Sequence, residues 1–180
     1  RILCIDFGYT NPFVCLWAAL DPDDRIIIYK EIYFSGRTVA EHAKQIVAEI
    51  EKEGVDIDVI ICDHDAEDRE TLEEHGLGNI PADKNVERGI GVVKERLKVA
   101  GDGLPRLLYM DNSLLEVDPK LEAKKKPLST IEEFPGYVWS VRRSRIEGNP
   151  QEVPLKLNDH GMDTIRYLCM FVDTFEGKGM

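Results

Sequence analysis

"RILCIDFGYTNPFVCLWAALDPDDRIIIYKEIYF" (residues 1–34) carries the reading of the fold. Three β-prone apolar runs, 1–9, 13–20 and 26–34, are separated by turn formers, "NP" at 11–12 and "DPDDR" at 21–25. Connections this short join neighbouring strands, so the chain is expected to open as an antiparallel meander. The pattern then changes. "TVAEHAKQIVAEIEKEG" (38–54) sets Val39, Ala43, Ile46, Val47 and Ile50 at helical spacing and stops at glycine. "DVIICD" (58–63) suits a strand buried on both faces. A polar helix is expected over 66–76, and a second helix over 86–101 with Ile90, Val93 and Leu97 inward. A further strand is expected over 106–111, a short helix over 129–134, a hairpin of 137–146 and 152–157, and a closing helix. A meander followed by alternating helices and strands predicts an α/β fold. Its sheet is mixed, three antiparallel strands followed by parallel ones, with helices on both faces.

The chain has 180 residues, 43% apolar and 32% charged, which suits a single soluble domain with a proper core. No apolar run approaches the roughly 20 residues of a membrane span, and no secretory signal is visible. The chain starts at Arg1 and enters a strand at once, so it is expected to be a domain excised from a longer protein. Cys4, Cys15, Cys62 and Cys169 all lie in apolar runs without C-x-x-C spacing, which predicts buried free thiols. A formal charge of −11 argues against a general electrostatic grip on nucleic acid. It leaves room for a nucleic-acid enzyme whose acids gather round a metal. Weak intrinsic DNA affinity is therefore expected.

The closing segment "LNDHGMDTIRYLCMF" (157–171) crowds Asp159, His160 and Asp163 into the start of an otherwise apolar helix. Capping accounts for Asn158 or Asp159. It does not account for Asp163, which lies too deep. A lone carboxylate there would be costly. Asp6 and Asp63 each close a β-apolar run. Either alone reads as the start of a turn. Together with Asp163 they sit on a first strand, a later strand and a final helix, and these can converge. Clustered carboxylates repel and take up protons unless a cation intervenes. Mg²⁺ and Mn²⁺ prefer carboxylate oxygen, and two such ions about 4 Å apart serve phosphodiester hydrolysis. His160 could then orient a water, bind phosphate or hydrogen-bond Asp163.

These residues also carry a family resemblance. "IDFGYTNPF", "ICDHDAEDRETLEEHG", "PADKNVERGIGVVKERL" and "NDHGMDTIRY" resemble, in order, the nuclease domain of the large terminase subunit of tailed bacteriophages. The resemblance implies a ribonuclease H-like fold and a metal-dependent endonuclease that cuts concatemeric double-stranded DNA during packaging. It implies Asp6, Asp63 and Asp163 as the catalytic acids with His160 beside them. Asp159 is an additional metal ligand, and Asp65 is a rival second acid. The implied cofactor is Mg²⁺ or Mn²⁺, as two ions. The implied partners are DNA, an N-terminal packaging ATPase domain in the same chain, the portal and the small terminase subunit. The implied setting is the cytoplasm of the bacterial host. No G-x-x-x-x-G-K-[ST] occurs here.

For DNA, Lys84 in "ADK" and Arg88 one helical turn later are candidates, with Arg142, Arg143 and Arg145 on a hairpin that could reach over a duplex. Lys124–Lys126 and the acids Glu67, Glu70, Glu73 and Glu74 read as solvated surface. Trp17 and Trp139 read as core. Three other readings compete. "IDFGYTN" fits the phosphate loop of an actin-like or sugar-kinase lobe. The fold could serve a non-catalytic docking domain. It could also be another ribonuclease H-like nuclease, such as a resolvase or transposase core.

Overall fold

The computed structural model describes residues 1–143 and 150–176. The opening meander forms as expected. Strands β1 (Ile2–Asp6), β2 (Phe13–Leu20) and β3 (Ile26–Phe34) pair antiparallel in that order. Helix α1 (Val39–Glu53) starts with a reciprocal capping box between Thr38 and Glu41, and ends at Gly54 with φ +66°. Strand β4 (Val59–Cys62) runs parallel to β1. Helix α2 (Ala66–Glu74) leads to β5 (Ile80–Pro81), parallel to β4. Helix α3 (Val86–Leu97) leads to β6 (Leu107–Tyr109), parallel to β3. Short helices α4 (Pro119–Ala123) and α5 (Thr130–Glu133) follow, then the hairpin of β7 (Trp139–Arg143) and β8 (Pro150–Pro154), and helix α6 (His160–Glu176). The main sheet has the order β5-β4-β1-β2-β3-β6.

Period-two alternation divides the core between the two faces of this sheet. Leu3, Ile5, Cys15 and Trp17 pack with Ala43 and Ile46 of α1 and Leu72 of α2. Ile2, Cys4, Val14 and Leu16 pack with Val93 of α3 and Ile165, Leu168 and Val172 of α6. Strands β1 and β2 are covered on both sides, which is why they read as continuous apolar runs. All four cysteines are buried and free. Burial pushes the Cys62 thiol up to about 11 and the Cys169 thiol up to about 12, so neither supplies a thiolate nucleophile.

Several expectations need correction. Strand β1 ends at Asp6 and not at residue 9, because the backbone closes on itself there: a Cβ on Gly8 would stand 2.4 Å from the Pro12 carbonyl oxygen. Helix α3 ends at Leu97, which is 42% exposed and not inward, since Lys98 turns to extended backbone. Trp17 is fully buried, but Trp139 is 48% exposed, with the Lys94 ammonium 5.5 Å from its ring centroid. Strand β5 and helix α4 went unpredicted because two and five residues carry too little periodicity. The tip of the expected hairpin, with Arg145, lies outside the described residues.

Candidate active site

Strand parity decides where the acids point. Asp6 continues the series Ile2, Cys4, so its side chain turns toward α6. Val59 and Ile61 of β4 face the same way, and two residues on from Ile61 that parity reaches Asp63. Because β1 and β4 are parallel with Ile5 opposite Cys62, Asp6 and Asp63 leave the sheet side by side at its C-terminal edge. The Asp63 N–H extends the ladder by donating to the Ile5 carbonyl at 3.1 Å. Sites in α/β sheets open at this edge.

Helix α6 packs across β1 and brings its first turn to the same place. His160 Nδ1 stands 2.9 Å from Asp6 Oδ2. A chain of buried polar groups holds this helix start. Glu133 of α5, 1% exposed, accepts from the Tyr33 hydroxyl at 2.6 Å and from the Met162 N–H at 3.0 Å. It thereby satisfies a free donor of the first turn. Glu31, fully buried, accepts from Thr130 N at 2.9 Å and from the Tyr109 hydroxyl at 2.5 Å. Thr130 in turn lies so close to α6 that a Cβ at Gly161 would meet its Oγ1 at 2.2 Å.

Charge at the site is concentrated. Burial raises the Asp6 carboxyl to about 6; its hydrogen bond to His160 opposes the rise, and the nearby charges of Asp163 and Asp63 add to it. Burial works against a charged His160, and the bond to Asp6 with its charge outweighs that, so the imidazole pKa is raised. Tyr167, 2% exposed, lies within the field of all three acids; burial first, then Asp163, Asp6 and Asp63, raise its hydroxyl pKa. Asp6, Asp63, Asp163 and His160 are therefore neighbours electrostatically.

Each of the other acids also holds a basic partner. Asp63 pairs with Lys84. Asp163 pairs with the buried Arg166, three residues on along α6. Lys156 bridges Asp159 at 3.2 Å and Asp163 at 3.4 Å. Among the described residues no three His, Cys, Asp or Glu side chains surround one point as a ready-made metal shell. The donor chemistry still fits a hard divalent cation. The acids supply oxygen only, and Asp6 is buried with a neutralising partner in His160 alone among the residues bonded to it.

Asp65 has a structural task. Its side chain caps α2, accepting from the N–H groups of Glu67 at 3.1 Å and Asp68 at 3.2 Å. Glu67, Glu70, Glu73 and Glu74 are exposed. Arg88 is not brought to the acids: it reaches Asp83 and Thr174, and Thr174 lies about 16 Å along α6 from Asp163. Arg142 and Arg143 lie on β7, paired in register with Gln151 and Pro150. Sequence reasoning missed Lys156, Tyr167 and Glu133. Arg166 and Tyr167 were visible as the end of the D-x-x-R-Y block; Glu133 gave no signal, because its role depends on a helix 27 residues later in the chain.

The fold and this edge define the class: a ribonuclease H-like mixed sheet of the kind found in terminase nucleases. No family model and no curated protein matches the sequence. Solved structures do. The large terminase of the thermophilic bacteriophage D6E, in complex with ATP-gamma-S, superposes with a TM-score of 0.69 at 22% identity over 93% of this chain. The chain spans 38% of that protein's length. The nuclease domain of the bacteriophage SPP1 large terminase, solved with bound Mn, gives 0.58 at 20% identity, covering 92% of this chain and 82% of the other. The P22 large terminase nuclease domain gives 0.59 at 19% identity, covering 94% and 79%. The chain has the fold of large terminase nuclease domains. No helix among the described residues is long and apolar enough to cross a membrane.

Proposed function

We propose that this chain is a divalent-metal-dependent endonuclease that cuts double-stranded DNA in viral genome packaging. The observation that carries the reading is the meeting of Asp6 and Asp63, on adjacent parallel strand ends, with His160 and Asp163 in the first turn of α6. Asp6, Asp63 and Asp163, with Asp159, would hold Mg²⁺ or Mn²⁺, two ions in the full site. The SPP1 neighbour with bound Mn supports that choice. Bound there, the metal supplies an activated water and charge stabilisation for the leaving oxygen. His160 is fixed by Asp6 so that its other ring nitrogen can orient a water or a phosphate oxygen. Asp65, as the cap of α2, is a weaker candidate ligand than Asp63.

Phosphate contacts would fall to Lys84 and to Arg142, Arg143 and Arg145. Arg88, held toward the far end of α6, would touch only DNA that runs along that flank. The D6E neighbour, a longer protein in complex with ATP-gamma-S, supports a packaging ATPase domain as partner. Portal, small terminase subunit and the host cytoplasm follow from the same reading.

Cleavage of supercoiled plasmid with Mn²⁺, Mg²⁺ or EDTA tests it, with wild type compared to Asp63→Asn. Asp63 is chosen because its side chain is partly exposed and its loss leaves the core intact. Cutting that needs metal and disappears in the variant supports the reading. A wild-type protein that cuts in neither metal refutes it.

A further inference from the structure

Lys156 belongs to no strand or helix. It sits between β8 and α6, with its side chain 58% exposed. Its ammonium nevertheless lies between two carboxylates, 3.2 Å from Asp159 Oδ2 and 3.4 Å from Asp163 Oδ2. That is where a cation shared by the two acids would sit. Asp159 Oδ2 is buried and accepts no aligned hydrogen bond, so the Lys156 charge is the compensation the structure gives it.

The other basic partners differ. Arg166 is 1% exposed and packed against α3, where Gly89 leaves room for its side chain, so it cannot withdraw without disturbing the core. Among the described residues Lys84 pairs with one acid, Asp63. Lys156 is the one of the three that both bridges two acids and has a solvent-exposed, flexible stem free to leave.

We infer that Lys156 is a built-in counter-cation: it competes with divalent metal for Asp159 and Asp163 and so sets the metal concentration at which the site loads. The inference rests on the metal reading above. A single ammonium carries half the charge of the metal and makes only directional N–H contacts. It keeps the acids folded and neutralised, and a divalent ion at sufficient concentration displaces it. Exposed pairs of this kind contribute little individually, so the competition is modest: about two- to tenfold in apparent metal affinity.

Isothermal calorimetry with Mn²⁺ on the purified protein tests this without reference to cleavage. Lys156→Met should bind Mn²⁺ about two- to tenfold more tightly than wild type, and Lys156→Arg should stay near wild type. Melting supplies a second readout: Lys156→Met should melt lower in EDTA and gain more from added Mn²⁺. Equal or weaker Mn²⁺ binding by folded Lys156→Met overturns the inference and leaves the nuclease reading standing. If wild type and both variants neither bind Mn²⁺ nor gain stability from it, the metal reading fails and this inference falls with it.

Discussion

Asp6, the last residue of the first strand, lies 2.9 Å from His160, the first residue of the last helix. The contact joins the two ends of the fold. It gives a buried carboxylate a partner that can be charged or neutral, and the consequences can be measured.

Replacing Asp6 by Asn should separate activity from stability. The buried carboxyl is raised to about 6, so at neutral pH its ionised form is held against a cost. Asp6→Asn removes that cost and can still bond His160. The metal-free variant should melt at or above the wild-type temperature while metal-dependent nicking falls by about a hundredfold or more, the loss that the proposed role of Asp6 as a metal ligand predicts. A variant that melts well below wild type contradicts this account of Asp6.

Asp163 should behave in the opposite way. It is the charged partner of Arg166, which is 1% exposed. Asp163→Asn leaves that guanidinium buried without a counter-charge and should lower stability by roughly 3 kcal/mol. Adding Arg166→Met should recover part of the loss. Urea denaturation of the single and double variants checks both signs.

Asp63 and Asp65 should separate cleanly. Asp65→Ala removes the cap of α2 and should reduce stability by about 1 kcal/mol, with cleavage largely kept. Asp63→Ala should abolish cleavage with little loss of stability. Plasmid nicking beside thermal melting distinguishes them; the reverse pattern would make Asp65 the second acid.

The pH dependence has a defined sign. Burial raises Glu133 from 4.5 to about 7, so between those values the folded state binds more protons than the unfolded one. Its contribution is fully present below pH about 4.5 and is lost as pH rises through 7. Glu133→Gln mimics the protonated form. The variant should match wild type near pH 4.5 and exceed it by roughly 3 kcal/mol at pH 8 in EDTA. Urea midpoints across that range test it, and a constant difference would exclude Glu133 as the titrating group.

Gly161 should tolerate no side chain. A Cβ there meets Thr130 Oγ1 at 2.2 Å and Thr130 Cα at 2.8 Å. Gly161→Ala should cost about 1–3 kcal/mol by overpacking and displace His160 from Asp6, lowering cleavage. Thr130→Ala should not rescue it, since the Cα remains in the way. Melting and nicking of the single and double variants decide the point.

The alternating and helical patterns were enough for the order of the main elements and for the place of Asp63 directly after a buried strand. Those patterns are local: a period of two or 3.6 is written within a dozen residues. The short elements β5 and α4 escaped because they hold less than one useful period. Trp139 misled because an aromatic residue in a strand pattern does not say whether anything covers the strand.

What the sequence alone determined was that acids stood where strands stop and where a buried helix begins. Only the tertiary structure decided how they are neutralised. Lys84 meets Asp63 and Glu133 meets the start of α6 from distant parts of the chain, while Lys156 reaches Asp159 and Asp163 from the segment just before α6. Their pairing depends on crossing geometry and side-chain reach, which no local periodicity encodes.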